Sequence, residues 1–69
     1  MNILIIGGGG REHALARAIS TSQKCTQLYA APGNPGISQF ATCLESSSDN
    51  PQAIIQECKT RKIELVVIG

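Results

Sequence analysis

The residues able to do chemistry gather in one stretch, Gly7-Gly8-Gly9-Gly10-Arg11-Glu12-His13. Consecutive glycines contribute no packing, and each loses more backbone entropy on folding than any other residue type. Their use is to let backbone N–H groups approach a partner closely, and a helix starting there makes an anion the fitting partner. A helix leaves its first N–H groups unpaired, and Ser, Thr, Asp or Asn at the cap is the usual remedy. None stands here, so the first-turn donors stay available to a ligand. Arg11, and His13 when protonated, set positive charge at the positive end of the helix dipole, which costs the free helix roughly 0.3–1 kcal/mol per charge. A bound phosphate or carboxylate reverses that sign. Glu12 suits the dipole by itself and offers an acceptor to a ligand amine or hydroxyl. The plainer alternative is a tight turn with Arg11, Glu12 and His13 solvated, and the poor self-capping argues against it.

Pro32-Gly33-Asn34-Pro35-Gly36 is the second concentrated stretch. Proline presets its own φ and keeps the preceding residue out of helix, while Gly and Asn tolerate positive φ, so these residues make a compact, stiff turn. By composition alone it is either a simple connection or a ligand wall. Position favours the wall, because loops leaving the strands of a parallel sheet share its carboxyl edge, where ligands of open α/β sheets bind.

These loops need elements to hold them. Asn2 to Ile6 is a continuous, Ile-rich apolar run, the pattern of a parallel strand covered on both faces. From about Arg11 to Thr21, the residues Ala14, Leu15, Ala18 and Ile19 fall at helical spacing with Arg17, Ser20 and Thr21 opposite, which predicts a helix packing that stripe on the sheet. Ser22-Gln23-Lys24 breaks the pattern, and Thr26 to Ala31 reads as a second strand stopped by Pro32. Ile37 to Ser48 is the least readable part, with Ile37–Phe40 read as a helical turn and Ala41–Leu44 as a short edge strand. Ser46-Ser47-Ser48-Asp49-Asn50 supplies cap residues and Pro51 a first helical position. A second helix then runs to about Lys62, burying Ile54, Ile55 and Cys58 and setting Lys59, Arg61 and Lys62 at its negative end.

Ile63 to Ile68 is the last strand, dense enough for burial on both faces. Such a strand calls for another loop and a covering helix, so the chain is expected to be the amino-terminal piece of a longer protein. Alternating strands and helices predict an α/β fold: an open, mostly parallel, Rossmann-like sheet with flanking helices, incomplete in this chain.

Composition narrows the function classes. The chain has 69 residues, a formal net charge of +1, one Tyr, one Phe and no Trp. That leaves no basic patch or aromatic platform for nucleic acid. A chain this short buries only about 60% of the surface its unfolded form exposes, which makes it marginal by itself. The first apolar run meets glycine too soon for a signal peptide or membrane span, and a cytoplasmic location is the expectation. Cys25, Cys43 and Cys58 are far apart, form no Cys-x-x-Cys pair and with a single His make no metal site. They read as small, buried or half-buried residues of a reducing compartment rather than nucleophiles.

A strand, a glycine loop and a helix invite a dinucleotide reading, and two features oppose it. Gly7 and Gly9 match the first glycines of G-x-G-x-x-G, but Glu12 stands where close helix–strand packing wants Gly or Ala. The fingerprint also needs an acid near the end of the second strand, and no Asp or Glu lies between Glu12 and Glu45. A phosphate-loop nucleotide site lacks its Gly-Lys-Ser/Thr.

Gly9-Gly10-Arg11-Glu12-His13-Ala14, followed by Ala31-Pro32-Gly33-Asn34-Pro35-Gly36 and then Ile63-Glu64-Leu65-Val66-Val67-Ile68-Gly69, closely resembles the amino-terminal domain of the phosphoribosylamine-glycine ligase family, also called glycinamide ribonucleotide synthetases. The resemblance covers essentially the whole chain, with Ser46 to Asn50 and the preceding edge strand matching only loosely. It implies one unit, residues 1–69, forming the amino-terminal part of a pre-ATP-grasp substrate-binding domain, with the ATP-grasp and remaining domains outside this chain. It further implies an ATP-dependent carbon–nitrogen ligase of purine biosynthesis. In that reaction ATP phosphorylates the glycine carboxylate, and the amine of 5-phosphoribosylamine attacks the acyl phosphate to give glycinamide ribonucleotide, ADP and phosphate. ATP and magnesium or manganese would bind outside this chain, leaving no metal ligand here.

Joined to the loop chemistry, the resemblance sets Gly8, Gly9, Gly10, Arg11, Glu12 and His13 on one side of a phosphoribosylamine site and Gly33, Asn34, Pro35 and Gly36 on the other. Arg11 or His13 supplies charge, Glu12 meets the ribose or amine, and Asn34 offers a donor and an acceptor. These groups position a reactive amine and no catalytic residue is expected among them, with Glu12 as a base the alternative left open. The implied partners are phosphoribosylamine, glycine and the rest of the same polypeptide. Three readings stay open: a substrate-binding part of this ligase, a dinucleotide-binding oxidoreductase module, and an inactive structural fragment that self-associates through its uncovered last strand.

Overall fold

A strand apolar on both faces needs cover on both sides, and the fold supplies it. The computed structural model describes residues 1–45 and 49–68. In chain order it runs β1 (Asn2–Gly7), α1 (Gly10–Ser20), β2 (Gln27–Pro32), a 3-10 turn (Ile37–Gln39), β3 (Thr42–Cys43), α2 (Pro51–Thr60) and β4 (Leu65–Ile68). The strands make one sheet in the order β3-β2-β1-β4, every pairing parallel, with Ile5 of β1 opposite Ala30 on one side and Val67 on the other. This is the open Rossmann-like α/β arrangement that alternating strands and helices predict.

Alternation along the strands divides the core. Ile3, Ile5, Leu28 and Ala30 pack with Ala16 of α1 and Ile37 of the 3-10 turn, while Leu4 and Ala31 pack with Leu44 and Ile54 of α2. Each face of the sheet therefore carries its own layer, and Leu4 and Ile5 are fully buried. From β1 the chain proceeds outward to β2 and β3, then crosses back to lay β4 on β1's other flank. The strand order reverses beside β1, and the carboxyl end of β1 is where such sheets open a crevice for ligands.

Two packing expectations need correction. On α1 the sheet-facing stripe is not Ala14, Leu15, Ala18 and Ile19: Ala16 is fully buried, Leu15 and Ile19 are half-buried, and Ala14 and Ala18 are exposed. The stripe that packs is Glu12, Leu15, Ala16 and Ile19, at the i, i+3, i+4, i+7 spacing of a helix face, with a charged residue in its first place. On α2, Ile54 is buried and Cys58 half-buried, but Ile55 is exposed, one step of about 100° round the helix from Ile54. In β4, Leu65, Val66 and Ile68 are exposed, as expected of an uncovered last strand: β4 is an edge strand that no helix among the described residues covers.

The remaining boundaries follow local chemistry. Asn50 caps α2, its Oδ1 accepting from Ala53 N at 3.2 Å, and Pro51 takes the first helical position. Ser46 to Ser48 lie outside the described residues. α2 stops at Thr60 rather than Lys62: Lys62 turns to φ 55°, Lys62 N donates to Lys59 O and Ile63 N to Cys58 O, which closes the last turn. The three cysteines are free and partly buried. Among the described residues no helix is long and apolar enough to cross a membrane, and no three His, Cys, Asp or Glu side chains group to hold a metal.

Candidate functional site

β1 ends at Gly7, and α1 begins at Gly10 with Gly9 as its cap residue in extended conformation (φ −94°, ψ −172°) and no side-chain cap hydrogen bond. Among the described residues no oxygen accepts from the amides of Gly8, Gly9, Gly10, Arg11 or Glu12. The bond that closes the first turn runs from His13 N to Gly9 O at 3.0 Å. A run of backbone donors thus stands at the positive end of α1, beside the point where the strand order reverses.

The glycine loop (residues 7–10) and the Pro-Gly loop (residues 32–36) interlock. Gly33 N donates to Gly7 O at 3.1 Å and Asn34 Nδ2 to Gly8 O at 2.6 Å. A Cβ at Gly8 would stand 2.7 Å from Gly33 O, and a Cβ at Gly36 would stand 2.9 Å from Cε1 of His13. His13 is half-buried, its ring 5.8 Å from that of Phe40 and tilted by 39°. Gly33 adopts φ +72°, with Cys43 Sγ filling the space a Cβ would need. The two motifs seen apart in the sequence are one assembled structure.

The glycines divide by what the fold asks of them. Gly7 sits at φ +135°, and the Glu12 side chain, folded back from α1, occupies the place of its Cβ. Gly8 must admit the Gly33 carbonyl. At Gly9 a Cβ would meet only Glu12 Oε2 at 3.4 Å, an ordinary contact, and at Gly10 it would meet nothing within 4 Å. Neither Gly9 nor Gly10 has positive φ, so the fold itself gives no reason for glycine there.

Of the charged groups, Arg11 is exposed and joins neither ion pair among the described residues, which link the Met1 amine to Glu64 and Arg61 to Glu57. The Glu12 side chain is half-buried over the loop and joins no hydrogen bond or ion pair among the described residues. Asn34 spends one amide hydrogen on Gly8 O and its Oδ1 on Ile37 N at 2.8 Å. Pro35 is exposed. The structure brings all the sequence-predicted residues, 8–13 and 33–36, to one edge of the sheet.

What sequence reading missed is the seat of Glu12 on the packed stripe, whose signal was the 12-15-16-19 spacing. It also missed an open groove of about 500 Å³ along α1, lined by Gly10, His13, Ala14, Arg17, Ala18 and Thr21. β2 closes on Ala31-Pro32, so no acid ends that strand where a dinucleotide ribose would need one.

The family model described as "Phosphoribosylglycinamide synthetase, N domain" matches residues 1–69. The chain is similar to the phosphoribosylamine–glycine ligases of Rhizobium meliloti (strain 1021), at 48% identity over 69 residues, and of Mesorhizobium japonicum, at 49% over 69 residues. A third such ligase, from Halalkalibacterium halodurans, is 42% identical over the same length. In each case all of this chain is covered and it spans 16% of the relative's length.

Proposed function

The chain belongs to the phosphoribosylglycinamide synthetase N-domain family, and from that premise we propose that it supplies the part of an ATP-dependent ligase that holds 5-phosphoribosylamine. The ligase joins glycine to that amine in the cytoplasm, as a step of purine biosynthesis, giving glycinamide ribonucleotide, ADP and phosphate. Residues 1–69 are the amino-terminal part of its substrate-binding domain. ATP and magnesium or manganese bind in an ATP-grasp part beyond these residues, and the chain alone has no activity.

The observation that carries this reading is the pair Gly9 and Gly10. The fold does not require glycine at either, both lie where amides lack internal acceptors, and omitting their side chains clears a path for a ligand. The amides of Gly8, Gly9 and Gly10 take the anionic end of the substrate, with Arg11, the exposed cation of the loop, supplying charge. His13 holds the Pro-Gly loop through Gly36 and Phe40. Glu12 lies where its carboxylate accepts from a ribose hydroxyl or the amine, and Gly33 to Gly36 border the site by bracing the glycine loop. These groups position a reactive amine, and positioning alone contributes several kcal/mol to a two-substrate reaction.

In a full-length ligase carrying this chain, Arg11→Ala raises KM for phosphoribosylamine and leaves KM for ATP nearly unchanged. An equal rise in both contradicts the assignment.

A further inference from the structure

The Pro-Gly loop grips the glycine loop by two successive carbonyls, Gly7 O from Gly33 N and Gly8 O from Asn34 Nδ2. A trans peptide unit is planar, with its C=O and the following N–H opposed. A carbonyl drawn toward the Pro-Gly loop therefore turns the next N–H, that of Gly8 or Gly9, away from that loop. The first grip comes from a backbone N–H, whereas the second depends on one side chain. That side chain is itself held: Oδ1 accepts from Ile37 N at 2.8 Å, and the Asn34 carbonyl accepts from Ser38 N at 3.0 Å and Cys43 Sγ at 3.6 Å.

We propose that Asn34 is a positioning residue, whose carboxamide latches the Gly8 carbonyl and thereby aims the Gly9 N–H at the anionic group of the ligand without touching it. The proposal rests on the reading of the glycine loop given above and names the device that pre-orients it. Asn is the residue type the latch needs. Asp keeps an acceptor for Ile37 N but sets an oxygen against the Gly8 carbonyl, and Ala removes both bonds. Pre-orientation of this kind raises affinity by lowering the cost of ordering the donors on binding.

The test compares the isotope-labelled chain with N34D by amide NMR, using ribose 5-phosphate as the probe. In the wild-type chain, one Asn34 Nδ2 proton exchanges at least about tenfold more slowly than the Nε2 protons of exposed Gln23, since only the former is hydrogen-bonded. N34D displaces the Gly9 amide resonance, leaves that of Ala53 in α2 in place, and weakens ribose 5-phosphate binding about tenfold. In a full-length ligase carrying the chain, N34D raises KM for phosphoribosylamine about tenfold, with kcat and KM for ATP held within about twofold. Fast exchange at Asn34, or an N34D chain with unmoved Gly9 resonance and unchanged affinity, overturns the latch. Should N34D fail to fold, the wild-type exchange rate decides. A wild-type chain that binds no ribose 5-phosphate while N34D still moves Gly9 keeps the latch and refutes the substrate reading.

Discussion

Gly8 and Gly10 stand two residues apart and answer to different masters. At Gly8 a Cβ would meet the Gly33 carbonyl oxygen at 2.7 Å, so Gly8→Ala forces the two loops apart and costs about 1–3 kcal/mol of stability. At Gly10 a Cβ has open space, and an alanine in the first turn of α1 raises stability by about 0.5–1 kcal/mol. The same Gly10→Ala change weakens ribose 5-phosphate binding, because the methyl stands where the ligand approaches. Urea denaturation and titration calorimetry on both variants check the pair; a Gly10→Ala chain that is more stable and binds unchanged removes the reason for that glycine. The identity of the loop residues was legible in the sequence because glycine runs and missing caps are local signals. The partners of Glu12, His13 and Asn34 were not, since each is met across the fold: Glu12 over Gly7, His13 against Gly36 and Phe40, Asn34 on Gly8.

At the scale of elements, α1 shows where pattern reading loses its grip. Alanine is nearly neutral in hydrophobicity, so Ala14, Ala16 and Ala18 offer rival stripes, and a charged Glu12 hides the one that packs. Ala16→Leu is expected to cost about 1–3 kcal/mol by overpacking a fully buried position, while Ala18→Leu on the exposed side changes stability by less than about 0.5 kcal/mol. Thermal or urea unfolding distinguishes the two, and equal effects would restore the stripe read from sequence. The strands and both helices were legible from apolar runs, from Asn50-Pro51 at the start of α2 and from the polar break after α1. The end of α2 was not, because its closing turn places lysine where glycine is customary. Lys62 occupies φ 55°, a conformation costing an L-residue roughly 1 kcal/mol, so Lys62→Gly raises the unfolding free energy by about that much and the denaturation midpoint with it. A lowered midpoint contradicts the closing-turn account.

For the whole molecule, the placement of β4 decides both the site and the surface. Ile63 to Ile68 resembles β1 in composition, and nothing in that resemblance says the strand lies on β1's far flank from β2. That placement makes the carboxyl end of β1 the point of reversal, and it leaves Leu65, Val66 and Ile68 exposed on a strand that, among the described residues, is paired on one side only. An apolar edge of this kind invites pairing between chains. The chain is expected to associate with rising concentration, and the double change Val66→Thr with Ile68→Lys to shift it toward monomer in sedimentation velocity. A wild-type chain monomeric at high concentration contradicts this.

The central claim is that the amides opening α1 are donors awaiting an anion. Titration of the isotope-labelled chain with ribose 5-phosphate, followed at every backbone amide, tests it most directly. Saturable shifts are expected to concentrate at Gly8, Gly9, Gly10 and Arg11, with α2 unaffected. No saturable shift, or shifts confined to Ala14, Ala18 and Thr21 along the α1 groove, contradicts it.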